Sequence, residues 1–81
     1  MTRKMIFEKL TEIFCEVFDD KNIVLTDATT ANDVDGWDSL EHINLILSVE
    51  STFDIKFSMN EMMEMHQVGK MVDMIVQKDK Q

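Results

Sequence analysis

Apolar residues at Ile6, Leu10, Ile13, Phe14 and Val17 recur three to four positions apart and predict an amphipathic helix from Lys4 to Phe18. Cys15 and Phe18 broaden its face, and Asp19, Asp20 and Asn22 end the periodicity. Residues 19–37 hold no sustained period. Their "TDATTAND" is turn and cap chemistry, with Ile23, Leu25 and Val34 as the expected tethers to the core. A loop this long is uncommon in a small domain, and long loops are often functional. A second helix is predicted from Ser39 to about Thr52, followed by a short crossing, "FDIKF". Ser58 with Glu61 three residues on forms a capping-box pattern, so a short third helix is expected over Met59–Met65. Val68, Met71, Val72, Ile75 and Val76 then mark a last helix from Val68 to Gln77. The pattern reads as all-α: a four-helix bundle with a long first loop and a short third helix, with residues 1–81 as one domain.

The second helix has two apolar stripes. At about 100° per residue, Leu45, Ile46, Val49 and Phe53 cluster on one side, the expected core face. Leu40, Ile43 and Leu47 form another stripe that starts right after Ser39. Packing of the helix on two sides within the bundle and a docking strip beside the serine both fit this arrangement.

Composition narrows the function classes. The chain has 81 residues and a net charge of −8, from 8 basic and 16 acidic residues. That balance argues against nucleic acid, whose phosphates need Lys and Arg, and suits partners with basic docking surfaces. A chain this short buries only roughly 60% of its unfolded surface, which leaves little room to enclose a substrate. The lone Cys15 allows no internal disulfide and fits a reducing, cytoplasmic setting. No Cys/His cluster has zinc spacing, and no signal peptide or membrane span is visible. With no proline and two glycines, the chain leans helical.

The most informative stretch is "DVDGWDSLEHINLI". Asp38 is placed to cap the second helix, with Glu41 at the third position completing a box. Capping alone leaves unexplained why Gly36, Trp37 and an exposed-looking serine crowd the same corner. Catalysis by Ser39 finds no support: Gly36-Trp37-Asp38 is not a nucleophile elbow, and His42 lacks a third partner. A calcium loop also fails, because "ANDVDGWDSLEH" puts Ala31 and His42 where acidic oxygens belong. His42 and His66 lack metal-ligand spacing and read as helix-end residues. The methionines of "MNEMMEMH" read as adaptable core filling. No metal site and no enzyme is expected.

With "GWDSLEHINLI" at the start of a second helix, the chain resembles the acyl carrier proteins, and the resemblance runs from the first helix through the long loop to "VGKMVDMI". It is similar to free-standing carriers of specialised pathways more than to the main fatty-acid carrier; Met1 and the polar tail "QKDKQ" also favour a free-standing protein. The resemblance implies that a phosphopantetheinyl transferase esterifies Ser39 with 4′-phosphopantetheine. The arm's thiol would then hold an acyl group as a thioester for acyl-loading and acyl-transferring enzymes. It further implies that Asp38 is read by the transferase, that Leu40, Ile43 and Leu47 form the partner strip, and that Glu41 and the loop around Asp35 and Trp37 join in recognition. The carrier is expected to be a monomer, without nucleic acid or membrane as partner. Two alternatives stay open: an aminoacyl or peptidyl carrier with the same arm, and an unmodified helical adaptor in which Ser39 only starts a helix. The sequence departs from the family on its polar arc, where Asn44, Ser48, Ser51 and Thr52 stand in place of the usual carboxylates, and at Phe57-Ser58, where Ile-Pro is common. His42 falls on the inward side of the first turn, near where an acyl chain would enter. Contact with the arm and a hydrogen bond to the loop are both open for it.

Overall fold

A computed structural model describes residues 1–79. Lys80 and Gln81, the end of the polar tail, lie outside the described residues. Helix α1 spans Arg3–Val17, α2 Ser39–Phe53, α3 Met59–Met63 and α4 Val68–Asp79. The helices are those the periodicity predicts, with ends displaced by one or two residues. Fraying and single-turn geometry make that the usual margin.

Helix α1 packs against both α2 and α4. Ile6, Leu10 and Phe14 of α1, Leu45, Ile46 and Val49 of α2, and Val68, Met71, Val72 and Ile75 of α4 are completely buried. These are the apolar positions that recur at helical spacing, so hydrophobic burial explains why three short helices hold together. Each helix start has at least one of its amide donors capped. Thr2 accepts from Met5 N–H at the head of α1, and Ser58 with Glu61 makes a complete capping box at α3. The α2 box is only half formed. Asp38 Oδ1 accepts from Glu41 N–H at 2.9 Å, but Glu41 turns outward and accepts from Asn44 Nδ2. The Asp38 amide donates instead to Gly36 O at 2.9 Å, so it has no need of the glutamate. Helix α2 ends on Asp54, whose positive φ of 55° closes the helix in the left-handed conformation.

The long loop is fastened rather than loose. Ile23, Leu25 and Val34 pack against the core as expected. Its carbonyls also cap the last helix: Val68 N–H donates to Thr29 O at 2.8 Å and Gly69 N–H to Asp27 O at 3.0 Å. Ala31 N–H reaches His66 O at 3.0 Å, beside an isolated bridge between Thr30 and Gln67. Arg3 adds a clamp by pairing with both Asp27 and Asp73.

Gly69 is the tight point of this seam. A Cβ there would stand 2.7 Å from the Asp27 carbonyl oxygen, a backbone atom with little freedom to retreat. We expect Gly69→Ala to lose about 1–3 kcal/mol through overpacking, against the gain of about 1 kcal/mol that alanine normally brings to a helix. Urea melts of the two proteins measure the balance, and a stabilised variant would mean that the loop does not sit this close.

Candidate functional site

The corner before α2 is built from the inside out. Gly36 adopts a φ of +88°, which turns the chain where a side chain would be strained. Trp37 then points into the bundle and is 5% exposed. Its ring meets Phe14 edge-on at 5.1 Å and lies 6.3 Å from Phe18. This corrects the expectation that Trp37 belongs to a partner surface: the indole is a core anchor, held by the aromatic face of α1. With the anchor inside, Asp38 caps the helix and Ser39, the first helical residue, is left exposed. Asp35 is exposed beside it.

His42, one turn into α2, is 4% exposed and bonded on both ring nitrogens. Trp37 Nε1–H donates to His42 Nδ1 at 2.9 Å. An indole nitrogen can only donate, so Nδ1 carries no proton. Nε2–H therefore donates to the Met62 carbonyl at 2.7 Å. The outer face of the ring stacks on His66 at 3.9 Å between centroids. His66 is oriented by its own bond, Nδ1–H to Met63 O at 3.0 Å. His42 thus ties α2 to both the loop and α3.

Burial pushes the His42 pKa below its ordinary value of 6.5, and the His66 ring pushes the same way, while the bond to Met62 O opposes them. The sign for stability follows. In the unfolded chain His42 takes up a proton near 6.5, whereas the folded chain resists it, so the fold weakens as pH falls through and below that value. Urea melts at about pH 7.5 and about pH 5.5 should show this loss. The histidine-dependent part should vanish in His42→Gln, and an undiminished slope in the variant would assign the effect to the carboxylates.

Around Ser39 lies a cavity of 310 Å³ lined by Ser39, His42, Ile43, Met59, Met62, Met63 and His66. Met59 is 77% and Met63 70% exposed. The reading of "MNEMMEMH" as core filling is therefore corrected for these two. Only Met65 of that stretch is fully buried, and it lies two residues beyond the end of α3, which itself buries none of its residues. The same surface answers the question of the two stripes on α2. Leu40, Ile43 and Leu47 are 68%, 47% and 56% exposed, while Leu45, Ile46 and Val49 are at zero. The second stripe is not packed within the bundle. Ile43 borders the serine cavity, and Leu47 borders a separate groove with Ile13 and Val17 of α1.

An exposed serine at a helix start, with free amide donors of the first turn and the positive end of the helix dipole, suits a phosphodiester. The apolar cavity beside it gives a flexible arm a surface to lie on, so the residues present fit a phosphopantetheine group. Among the described residues, no group of three or more His, Cys, Asp or Glu side chains could hold a metal ion.

Residues 8–75 match the family model described as a phosphopantetheine attachment site. An acyl carrier protein of Guillardia theta is 35% identical over 79 residues, covering 96% of each chain, and one of Petrotoga mobilis is 32% identical over 79 residues, covering 96% of this chain and 92% of that one. The solution structure of holo acyl carrier protein from Geobacter metallireducens superposes with a TM-score of 0.82 at 49% identity, covering 89% of this chain and 83% of the other. The chain is a phosphopantetheine-bearing carrier by fold and by family model, and it belongs to the acyl carrier protein family. Its role is to carry an acyl group to partner enzymes rather than to catalyse, and its prosthetic group is 4′-phosphopantetheine. No described helix is long and apolar enough to cross a membrane.

Proposed function

We propose that Ser39 is the attachment position and that the 81-residue chain works as one carrier domain, a monomer in the cytoplasm serving a specialised pathway. The observation that carries this reading is the Asp38-Ser39-Leu40 start of α2, with the serine exposed beside an apolar cavity. When attached, the arm supplies a thiol that holds the cargo as a thioester and raises its effective concentration at each partner site. The chain's own residues do the rest. Asp38 fixes the helix start that a transferase approaches, and Trp37 holds that start at the surface by filling the core behind it. Leu40, Ile43 and Leu47 offer apolar contacts to loading and transferring enzymes, with Asp35 and Glu41 as the flanking charges. Intact mass before and after treatment with a broad-specificity phosphopantetheinyl transferase and coenzyme A tests the reading, and a chain that gains no mass would favour the unmodified adaptor. The group found on the thiol in native cells separates acyl from aminoacyl cargo.

Partner choice follows from the α2 surface. Glu50 accepts from Phe57 N–H at 2.8 Å and is spent on the α2–α3 crossing. Glu41 is left as the outward acid, among Asn44, Ser48 and Ser51. An exposed ion pair contributes only about 0.2–1 kcal/mol, but several together set partner choice and encounter rate. We therefore expect slow loading and transfer by fatty-acid synthase enzymes, and weak salt dependence with the cognate enzyme. Rates measured across a range of salt decide this. Efficient and steeply salt-sensitive turnover by the fatty-acid enzymes would contradict it, and a gain there in Asn44→Glu/Ser51→Glu would support it.

A further inference from the structure

Three of the side chains that line the cavity with Ser39 are methionines: Met59, Met62 and Met63. Two of them stand out among the eight methionines of the chain. Met59 is 77% and Met63 70% exposed, against 51% for Met1 and 46% for Met5. Met62 and Met74 are half-buried, and Met65 and Met71 are completely buried. An oxidant in solution therefore meets the thioethers of Met59 and Met63 first. Helix α3 buries none of its own residues, so a change of polarity at these two positions leaves the packed core as it is. Their apolar neighbour Ile43 shares the cavity. An enzyme that attaches a group to the Ser39 hydroxyl has to seat itself over this rim.

Resting on the carrier reading above, we propose that Met59 and Met63 are a reversible oxidation site that controls how well enzymes reach Ser39. The oxidant is a peroxide. The thioether sulfur attacks one peroxide oxygen, the S–O bond forms as the O–O bond breaks, and with hydrogen peroxide the second oxygen leaves as water. The sulfur loses two electrons and the peroxide gains them. The product sulfoxide is polar and chiral where the thioether was apolar and adaptable. A partner seated over Leu40, Ile43 and α3 would then have to bury the sulfoxide oxygen without a donor to meet it. Methionine sulfoxide reductases reverse the step: the oxygen leaves as water while a dithiol is oxidised to a disulfide. Met1 and Met5 are open to the same oxidant, but Met1 precedes α1, Met5 lies in its first turn, and neither lines the serine cavity.

The test uses the full chain before pantetheine is attached, so that no arm thiol competes for the oxidant. Dilute hydrogen peroxide is applied and removed, dithiothreitol then reduces any reversibly oxidised Cys15, and peptide mass mapping locates each added oxygen. We expect Met59 and Met63 to gain oxygen first and Met65 and Met71 last, with the helical circular dichroism and the melting midpoint held. Uptake of phosphopantetheine from coenzyme A, with a broad-specificity transferase and the carrier below saturation, should slow about tenfold, the factor that losing the burial of one thioether side chain supplies. Sulfoxide reductases with dithiothreitol should restore the rate. A Met59→Leu/Met63→Leu variant, compared with its own untreated sample, should lose nothing to peroxide. Oxidation of both methionines with no loss of rate would overturn the inference and leave the carrier reading standing. The same holds for first oxidation at other methionines, for an equal loss in the leucine variant, and for a loss of helical signal on oxidation. An untreated chain that takes up no pantetheine would overturn the carrier reading, and this inference with it.

Discussion

Ser39→Ala should keep the helical fold and lose all uptake of phosphopantetheine. The two halves of this expectation have separate physical grounds. The helix cap belongs to Asp38, whose side chain holds the Glu41 amide at 2.9 Å, so removing the Ser39 hydroxyl leaves the cap in place. Ser39 is exposed at the first helical position, and alanine is the best helix former. Stability should therefore change by no more than about 0.5 kcal/mol. The modification is all or none, because the hydroxyl oxygen is the atom that would form the phosphodiester. Intact mass with transferase and coenzyme A reads the second half, and circular dichroism with a urea melt reads the first. A variant that still gains the mass would move the attachment to another residue.

The second large effect is a contrast across α2. Leu45→Ala should cost about 2–5 kcal/mol, the range for deleting a fully buried aliphatic side chain. In a domain whose whole stability is about 5–15 kcal/mol, that is a substantial part. Ile43→Ala, at a position 47% exposed, should cost about 1 kcal/mol or less. Loading by the cognate enzyme should reverse the order. The Ile43 variant would lose contact area at the proposed partner surface, while a Leu45 variant that remains folded keeps its surface. Melts and loading rates on the same preparations settle the comparison. A loss of about 2–5 kcal/mol at Ile43 would place that side chain in the core and reject the docking role.

This contrast also marks how far the sequence could be read. Helices α1, α2 and α4 are legible because their apolar residues repeat over three or more turns. The placement of Leu45, Ile46 and Val49 inside follows from that repeat. The serine corner is legible from its local chemistry: a capping residue, a glycine turn and a hydroxyl at a helix start. What escapes is set by contacts between distant parts of the chain. Trp37 sits in a loop, where no period says which way an indole faces, and its burial depends on Phe14 across the bundle. Helix α3 is too short for a face to show as a period, so Met59 and Met63 could not be told from Met65. The pairing of His42 with His66, and the approach of Asp27 to Gly69, join residues whose spacing in the chain carries no signal. The outward turn of Glu41 is a smaller case. "DSLE" reads as a full box, but the Asp38 amide is already taken by Gly36.

Trp37 is the only tryptophan in the chain, and its indole nitrogen is bonded to the histidine that ties α2 to α3. The protein thus contains its own optical probe, placed two residues from the serine and read without a label. Protonation of His42 removes the acceptor of that indole N–H, and separation of the two histidines from the ring uncovers the face that stacks on them. Both events shift the emission of a single chromophore. The fluorescence of the unaltered chain therefore reports on the state of its serine corner, at concentrations well below those that nuclear magnetic resonance requires.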